Sequence, residues 1–211
     1  RYCDAIAIRT FKQTNLEEYA KWSTKPIINA LTDLEHPCQA LADYYTVQET
    51  FGNFKNLTLT FIGDGNNVAN SLIICGSILG AKINIVCPKG FEPPKEIIEV
   101  AKNKSDHNSE ILVTNNLDEG VKGSNVLYTD VWSSMGQESN KSLKDERFEG
   151  YTLNKDMISK ADNDVIIMHC LPAYRGKEIS NDVFESSRSR IFNQAENRLH
   201  AQQALLTKLT K

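Results

Sequence analysis

The chain has 211 residues, 40% of them hydrophobic and 24% charged, with a formal net charge of -3. That composition belongs to an ordinary globular protein long enough to bury a sizeable core. It holds no basic run of the kind that marks a nucleic-acid surface and no apolar stretch as long as a membrane span, so neither a nucleic acid nor a membrane is expected as a partner. Cys3, Cys38, Cys75, Cys87 and Cys170 are odd in number and irregularly spaced. They argue against a disulfide framework and for a reducing compartment, expected to be the cytoplasm or an organelle matrix. None stands at metal-ligand spacing, so no metal site is expected. Arg1-Tyr2-Cys3-Asp4 lacks the pattern of a secretory leader.

In chain order, residues 5–8 read as a strand, 16–22 as a short helix and 26–29 as a second strand. A helix is predicted over 37–50, with Pro37 at its first position and Leu41, Tyr44, Tyr45 and Gln48 at helical spacing. Gly52-Asn53 supplies the turn chemistry that ends it. From residue 57 strands and helices alternate strictly. The strands are 57–62, 83–87, 110–113, 126–128 and 165–168, with a possible sixth at 190–192. Helices are read at 68–79, 94–102, 117–121 and 155–161. This alternation predicts a doubly wound α/β fold with a parallel sheet. Residues 133–150 are polar, charged and long enough to read as a functional loop. An amphipathic helix over 195–209 closes the chain. Two strands before the break at 52–56 are too few to cover a core. Residues 1–52 are therefore expected to be the end of an incomplete first α/β domain with its exit helix. Residues 53–194 form the main domain, and 195–211 a helix returning to the first.

Polar clusters fall at the ends of three predicted strands. They are Gly63-Asp64-Gly65-Asn66-Asn67, then Asp130 leading into Ser133-Ser134-Met135-Gly136, and His169-Cys170-Leu171-Pro172. A parallel sheet brings these ends to one rim, where ligands bind. A thiol beside an imidazole there is a plausible reactive pair, the alternative being a small buried cysteine that only packs. Gly63-x-Gly65 hints at a dinucleotide loop, but the third glycine is Val68 and the next strand ends at Cys87-Pro88 rather than at an acid. His36-Pro37-Cys38-Gln39 opens a helix whose free N–H groups favour an anion. Arg9 and Arg198 are further candidate anion donors.

Taken together, His36-Pro37-Cys38-Gln39, the Gly63–Asn67 loop, Asp130-Val131-Trp132-Ser133-Ser134-Met135-Gly136, His169-Cys170-Leu171-Pro172 and Ala195-Glu196-Asn197-Arg198 resemble ornithine carbamoyltransferase of the aspartate/ornithine carbamoyltransferase superfamily. The resemblance covers essentially the whole chain. It implies transfer of a carbamoyl group from carbamoyl phosphate to the side-chain amine of L-ornithine, giving L-citrulline and phosphate with no cofactor. By analogy Arg9, His36, Gln39, Cys170, Leu171 and Arg198 bind carbamoyl phosphate, and Asn67, Asp130, Ser134 and Met135 bind ornithine. Cys170, Arg9 and His36 are the expected catalytic groups, with Cys170 and the Leu171 carbonyl orienting or deprotonating the attacking nitrogen. The family's Ser-x-Arg-Thr phosphate motif has no counterpart here. The chain is accordingly expected to be the C-terminal two-thirds of such an enzyme, inactive alone, whose complete form is a homotrimer. The rival readings are a catalytically silent homologue that binds or regulates, and a carbamoyltransferase for another amine.

Overall fold

The computed structural model describes residues 2–105, 110–133 and 141–210. The chain opens with strand β1 (Ile6–Arg9), helix α1 (Gln13–Trp22) and strand β2 (Ile27–Leu31), and the two strands pair in parallel. Helix α2 (Pro37–Phe51) leads away from them. Its proline sits at the start, where a missing N–H costs nothing. Gly52 ends it at φ 76, a left-handed conformation that a Cβ would oppose.

Strict alternation follows: β3 (Thr58–Ile62), α3 (Asn67–Leu79), β4 (Lys82–Val86), α4 (Lys95–Lys104), β5 (Ile111–Thr114), α5 (Leu117–Val121) and β6 (Val126–Thr129). Then come α6 (Lys141–Arg147), α7 (Lys155–Lys160), β7 (Ile166–His169), α8 (Asn181–Phe184) and α9 (Ile191–Leu209). The five later strands form one parallel sheet in the order β5-β4-β3-β6-β7. The chain thus runs outward from β3 and then returns to lay β6 on the other side of β3. That reversal opens a crevice at the carboxyl ends of β3 and β6, the place where open α/β sheets bind ligands.

The strands are uninterrupted apolar runs because both faces are covered. Leu59, Phe61, Val126, Tyr128, Ile166 and Met168 pack with Tyr44 and Val47 of α2 and Leu72 and Ile73 of α3. Ile62, Leu127 and Ile167 face the opposite way, against Val121, Leu153, Met157, Val183 and Ile191. Alternate residues of one strand therefore feed two separate cores, as a side-chain period of two requires.

Four expectations need correction. The possible strand at 190–192 is the start of α9, and Ser189 contributes just an isolated bridge to Ile167. Gln194 N–H donates to Arg190 C=O, so the backbone is already helical there and α9 begins before residue 195. The segment 133–150 holds α6, built from the good helix formers of Lys-Ser-Leu-Lys-Asp-Glu-Arg. On α2 the buried stripe runs through Ala40, Asp43, Tyr44 and Val47, while Leu41 and Tyr45 are 40% and 41% exposed. Packing against both α3 and α9, not apolar spacing alone, chose that stripe.

Gly65 is fixed by close approach. A Cβ there would lie 2.3 Å from the Pro93 nitrogen, and Gly65 N–H donates to Phe91 C=O at 2.8 Å. Gly90, at φ +90, has nothing within 4 Å. Gly65→Ala is expected to lose about 3 kcal/mol of unfolding free energy, because the obstacle is backbone. Gly90→Ala should lose about 1 kcal/mol, through backbone strain alone. Urea denaturation of the two variants checks the ranking.

Candidate active site

Asp130 directly follows β6 and is 7% exposed. Its Oδ1 accepts from the Cys170 thiol at 3.0 Å and from the Val131 N–H at 2.7 Å. Its Oδ2 accepts from the Asn66 side-chain amide at 2.8 Å. The crevice between β3 and β6 therefore contains a carboxylate fixed from both sides. Asn67, expected with Asp130 to bind ornithine, donates to the Thr32 carbonyl at 2.6 Å. It spans from α3 to the turn after β2, and its neighbour Asn66 makes the contact with the acid. Ser134 and Met135 lie outside the described residues.

His169 ends β7 and is buried. Its Nδ1 accepts the Leu171 N–H at 2.8 Å, which leaves Nε2 to carry the proton facing Glu178 Oε1 at 3.2 Å. Glu178, 1% exposed, also accepts the Tyr174 N–H. This anchor holds Leu171 at φ 58, an unfavourable conformation for a branched residue, and so shapes the turn that presents Cys170. Burial first, then the Asp130 carboxylate, pushes the Cys170 thiol well above its usual range. Of the two roles the sequence leaves to Cys170, a protonated thiol that donates to Asp130 fits orienting and not deprotonating. Asp130, His169 and Cys170 bring three possible ligand atoms within 4.8 Å of one another. All three are already engaged with each other or with Leu171 and Glu178. The sequence places these residues on one rim, at the ends of two strands, and the structure brings them into contact.

The second pole of the site is cationic. Arg9 ends β1, His36 precedes α2, and Arg198 lies on α9. Arg198 Nη1 donates to Gln39 Oε1. Arg198 Nε and His36 Nδ1 are both buried without a partner. Burial, then the positive charges of Arg198 and Arg9, pushes the His36 imidazole down to about 4. The ring is therefore neutral at neutral pH and can donate one hydrogen bond without adding charge. The structure brings Arg9, His36, Gln39 and Arg198 together electrostatically or by direct contact. An anion here would gain two cations and two orphaned polar atoms whose desolvation it offsets.

Sequence reasoning missed the group that joins the two poles. Asp43 is fully buried. Its Oδ1 accepts from Gln39 at 2.8 Å and Gln194 at 2.7 Å, and its Oδ2 accepts from the Tyr128 hydroxyl at 3.1 Å. Gln194 in turn accepts the His169 backbone N–H at 2.9 Å. The available signal was an acidic residue four positions after Gln39 on the buried stripe of α2. Lys144 of α6 was missed as well. It pairs with Asp64, both side chains being largely buried, and donates to the Trp132 carbonyl. Glu178 left no local signal, since its partner is nine residues away in a turn.

Comparisons with known proteins identify the family and its fold. The profile of the aspartate/ornithine carbamoyltransferase Asp/Orn binding domain matches residues 55–209, and that of the carbamoyl-P binding domain matches residues 1–49. An ornithine carbamoyltransferase of Prochlorococcus marinus subsp. pastoris is 62% identical over 207 residues, covering 98% of this chain and 67% of that protein. Ornithine carbamoyltransferase from Pyrococcus furiosus superposes with a TM-score of 0.93 at 44% identity, covering 97% of this chain and 66% of the other. The enzyme from Gloeobacter violaceus gives 0.91 at 43%, covering 100% and 71%. The chain thus spans about two thirds of the length of these relatives.

The Asp43 carboxyl group is raised from 3.8 to about 7, by burial, against the lowering effect of its donors. A raised acid adds stability that is complete below the unfolded value and is lost as pH climbs through the folded one. His36 runs the other way, its contribution being present above 6.5 and lost as pH falls toward 4. Subtraction isolates Asp43. Relative to the wild type, Asp43→Asn should gain unfolding free energy steadily as pH is raised from about 4 to about 7. Denaturant melts across that range check the slope.

Proposed function

Because the chain belongs to the aspartate/ornithine carbamoyltransferase family, we propose that it provides the ornithine-binding domain and part of the carbamoyl phosphate-binding domain of an ornithine carbamoyltransferase. The observation that supports this most is the Cys170–Asp130 hydrogen bond, which joins the ends of β6 and β7 at the crevice. In this reading residues 1–52 close the carbamoyl phosphate domain, 53–194 bind ornithine, and 195–211 return along α2.

The chemistry follows from the charges. Asp130 pairs with the α-ammonium of ornithine. The side-chain amine, protonated when free at neutral pH, must attack in its neutral form. Its lone pair forms a C–N bond to the carbonyl carbon of carbamoyl phosphate, giving a tetrahedral intermediate. Arg9 and neutral His36 donate to the oxyanion. The C–O bond to phosphate then breaks with its electron pair going to the phosphate, which takes the proton from the nitrogen, and citrulline and phosphate are the products. Gln39 and Arg198 hold the phosphoryl end, and the Cys170–Leu171 turn borders the reacting carbon. Asn67, Ser134 and Met135 complete the ornithine side. The complete enzyme is a homotrimer acting in the cytoplasm.

The test joins the upstream third of the Prochlorococcus relative to this chain and measures citrulline from carbamoyl phosphate and L-ornithine. Turnover is expected in the joined protein and little in the 211-residue chain alone. Asp130→Asn should raise the ornithine KM at least about tenfold and leave the carbamoyl phosphate KM within about threefold, since it removes one charge-assisted contact to one substrate. A well-folded joined protein without turnover would point to another amine acceptor or to a silent binding homologue.

A further inference from the structure

Asn66 is the N-cap of α3, and its Oδ1 accepts from the N–H groups of Val68 and Ala69 at 3.0 and 3.1 Å. Serine, threonine or aspartate would cap a helix as well. The same side chain does something those cannot. Its Nδ2 donates to Asp130 Oδ2 at 2.8 Å while Oδ1 of the acid is taken by Cys170 and Val131. An amide alone offers a fixed acceptor and a fixed donor on opposite sides of one plane. An aspartate at 66 would set carboxylate against carboxylate, and a serine is too short to cap and reach the acid together.

The rotation of the Asp130 carboxylate is therefore set by the N-cap residue of a helix buried against the sheet. Val68, Ala69, Leu72 and Ile73 of α3 are each 5% exposed or less, so that donor cannot drift. A carboxylate held in one plane recognises a cation by direction as well as by charge, since its lone pairs lie in that plane. We propose that Asn66 is a positioning residue that makes the site selective for an α-amino acid over the same amine lacking the α-ammonium, by locking the Asp130 carboxylate from the N-terminus of α3. This rests on the reading of Asp130 as the α-ammonium ligand.

L-ornithine and 5-aminopentanoate differ in that ammonium group alone, so they separate the proposal from a general loss of structure. Both are titrated calorimetrically into the full 211-residue chain with carbamoyl phosphate present, using wild type, Asn66→Ser, Asp130→Asn and the double variant. Asn66→Ser keeps a cap, and Asn66→Thr repeats the test with a second capping residue. The expected result is an ornithine Kd weakened about tenfold by Asn66→Ser, a 5-aminopentanoate Kd changed less than about twofold, and no further loss when Asn66→Ser is added to Asp130→Asn. Equal weakening of both ligands, or no change in either while Asp130→Asn still erases the preference, would reduce Asn66 to a helix cap and overturn the proposal. If Asp130→Asn leaves the ornithine preference intact, the reading of Asp130 itself falls and takes the proposal with it.

Discussion

A carboxylate with no access to water must be given hydrogen-bond donors or a proton, and the arrangement around Asp43 meets that demand from three elements at once. Gln39 comes from α2, Tyr128 from β6 and Gln194 from α9. Each amide is then used a second time. Gln39 takes Arg198 on its oxygen, and Gln194 takes the backbone N–H of His169. One buried acid thus fixes the arginine end of the site relative to the turn that carries Cys170. Moving α9 by a fraction of a hydrogen bond would orphan several buried groups together, which is why α9 is held against α2 so firmly. Asn197 reinforces that seam through Thr46 and Glu49, one and two turns further along.

Local glycines, caps and apolar runs were enough to place the five strands of the sheet, since each signal sits within a few residues of the element it defines. Gly52 and Asn66-Asn67 mark real helix ends, and the run Val165-Ile166-Ile167-Met168 is buried on both faces as its composition demands. The false strand at 190–192 shows the limit. Arg-Ile-Phe is as apolar and β-branched as an edge strand, and the hydrogen bond from residue 194 back to 190, not composition, settled it as helix. Helix α6 hid inside a polar stretch, and a contact that seats it, Lys144 with Asp64, joins residues 80 positions apart.

The site was legible by residue type and less so by partner. Asp130, Cys170, His36 and Arg198 stand out from their strings and do meet others of the set. The contact of Asn66 with Asp130 was not readable. Adjacent identical side chains point in different directions on a helix start, and the first of them is committed to the cap. Asp43 and Glu178 were invisible for a related reason. Buried acids are defined by what surrounds them, and their surroundings come from residues up to 151 positions away.

The charges are sorted along the cleft by pairing and burial, and that sorting suits the reaction proposed. Asp64 would be a second acid beside Asp130, but Lys144 pairs with it, so in the proposed reading the Asp130 carboxylate meets the amino acid without a competing anion. At the other end His36 stays neutral because it is buried and because Arg198 and Arg9 surround it with positive charge. A protonated histidine would bind the anionic substrate more strongly from the outset, in ground state and transition state alike, and so would do little for the rate. A neutral imidazole that donates one hydrogen bond gains strength as negative charge gathers on the carbonyl oxygen. In the proposed reaction the arginines of the oxyanion and phosphoryl ends therefore help burial to keep their neighbour in the form that favours the transition state.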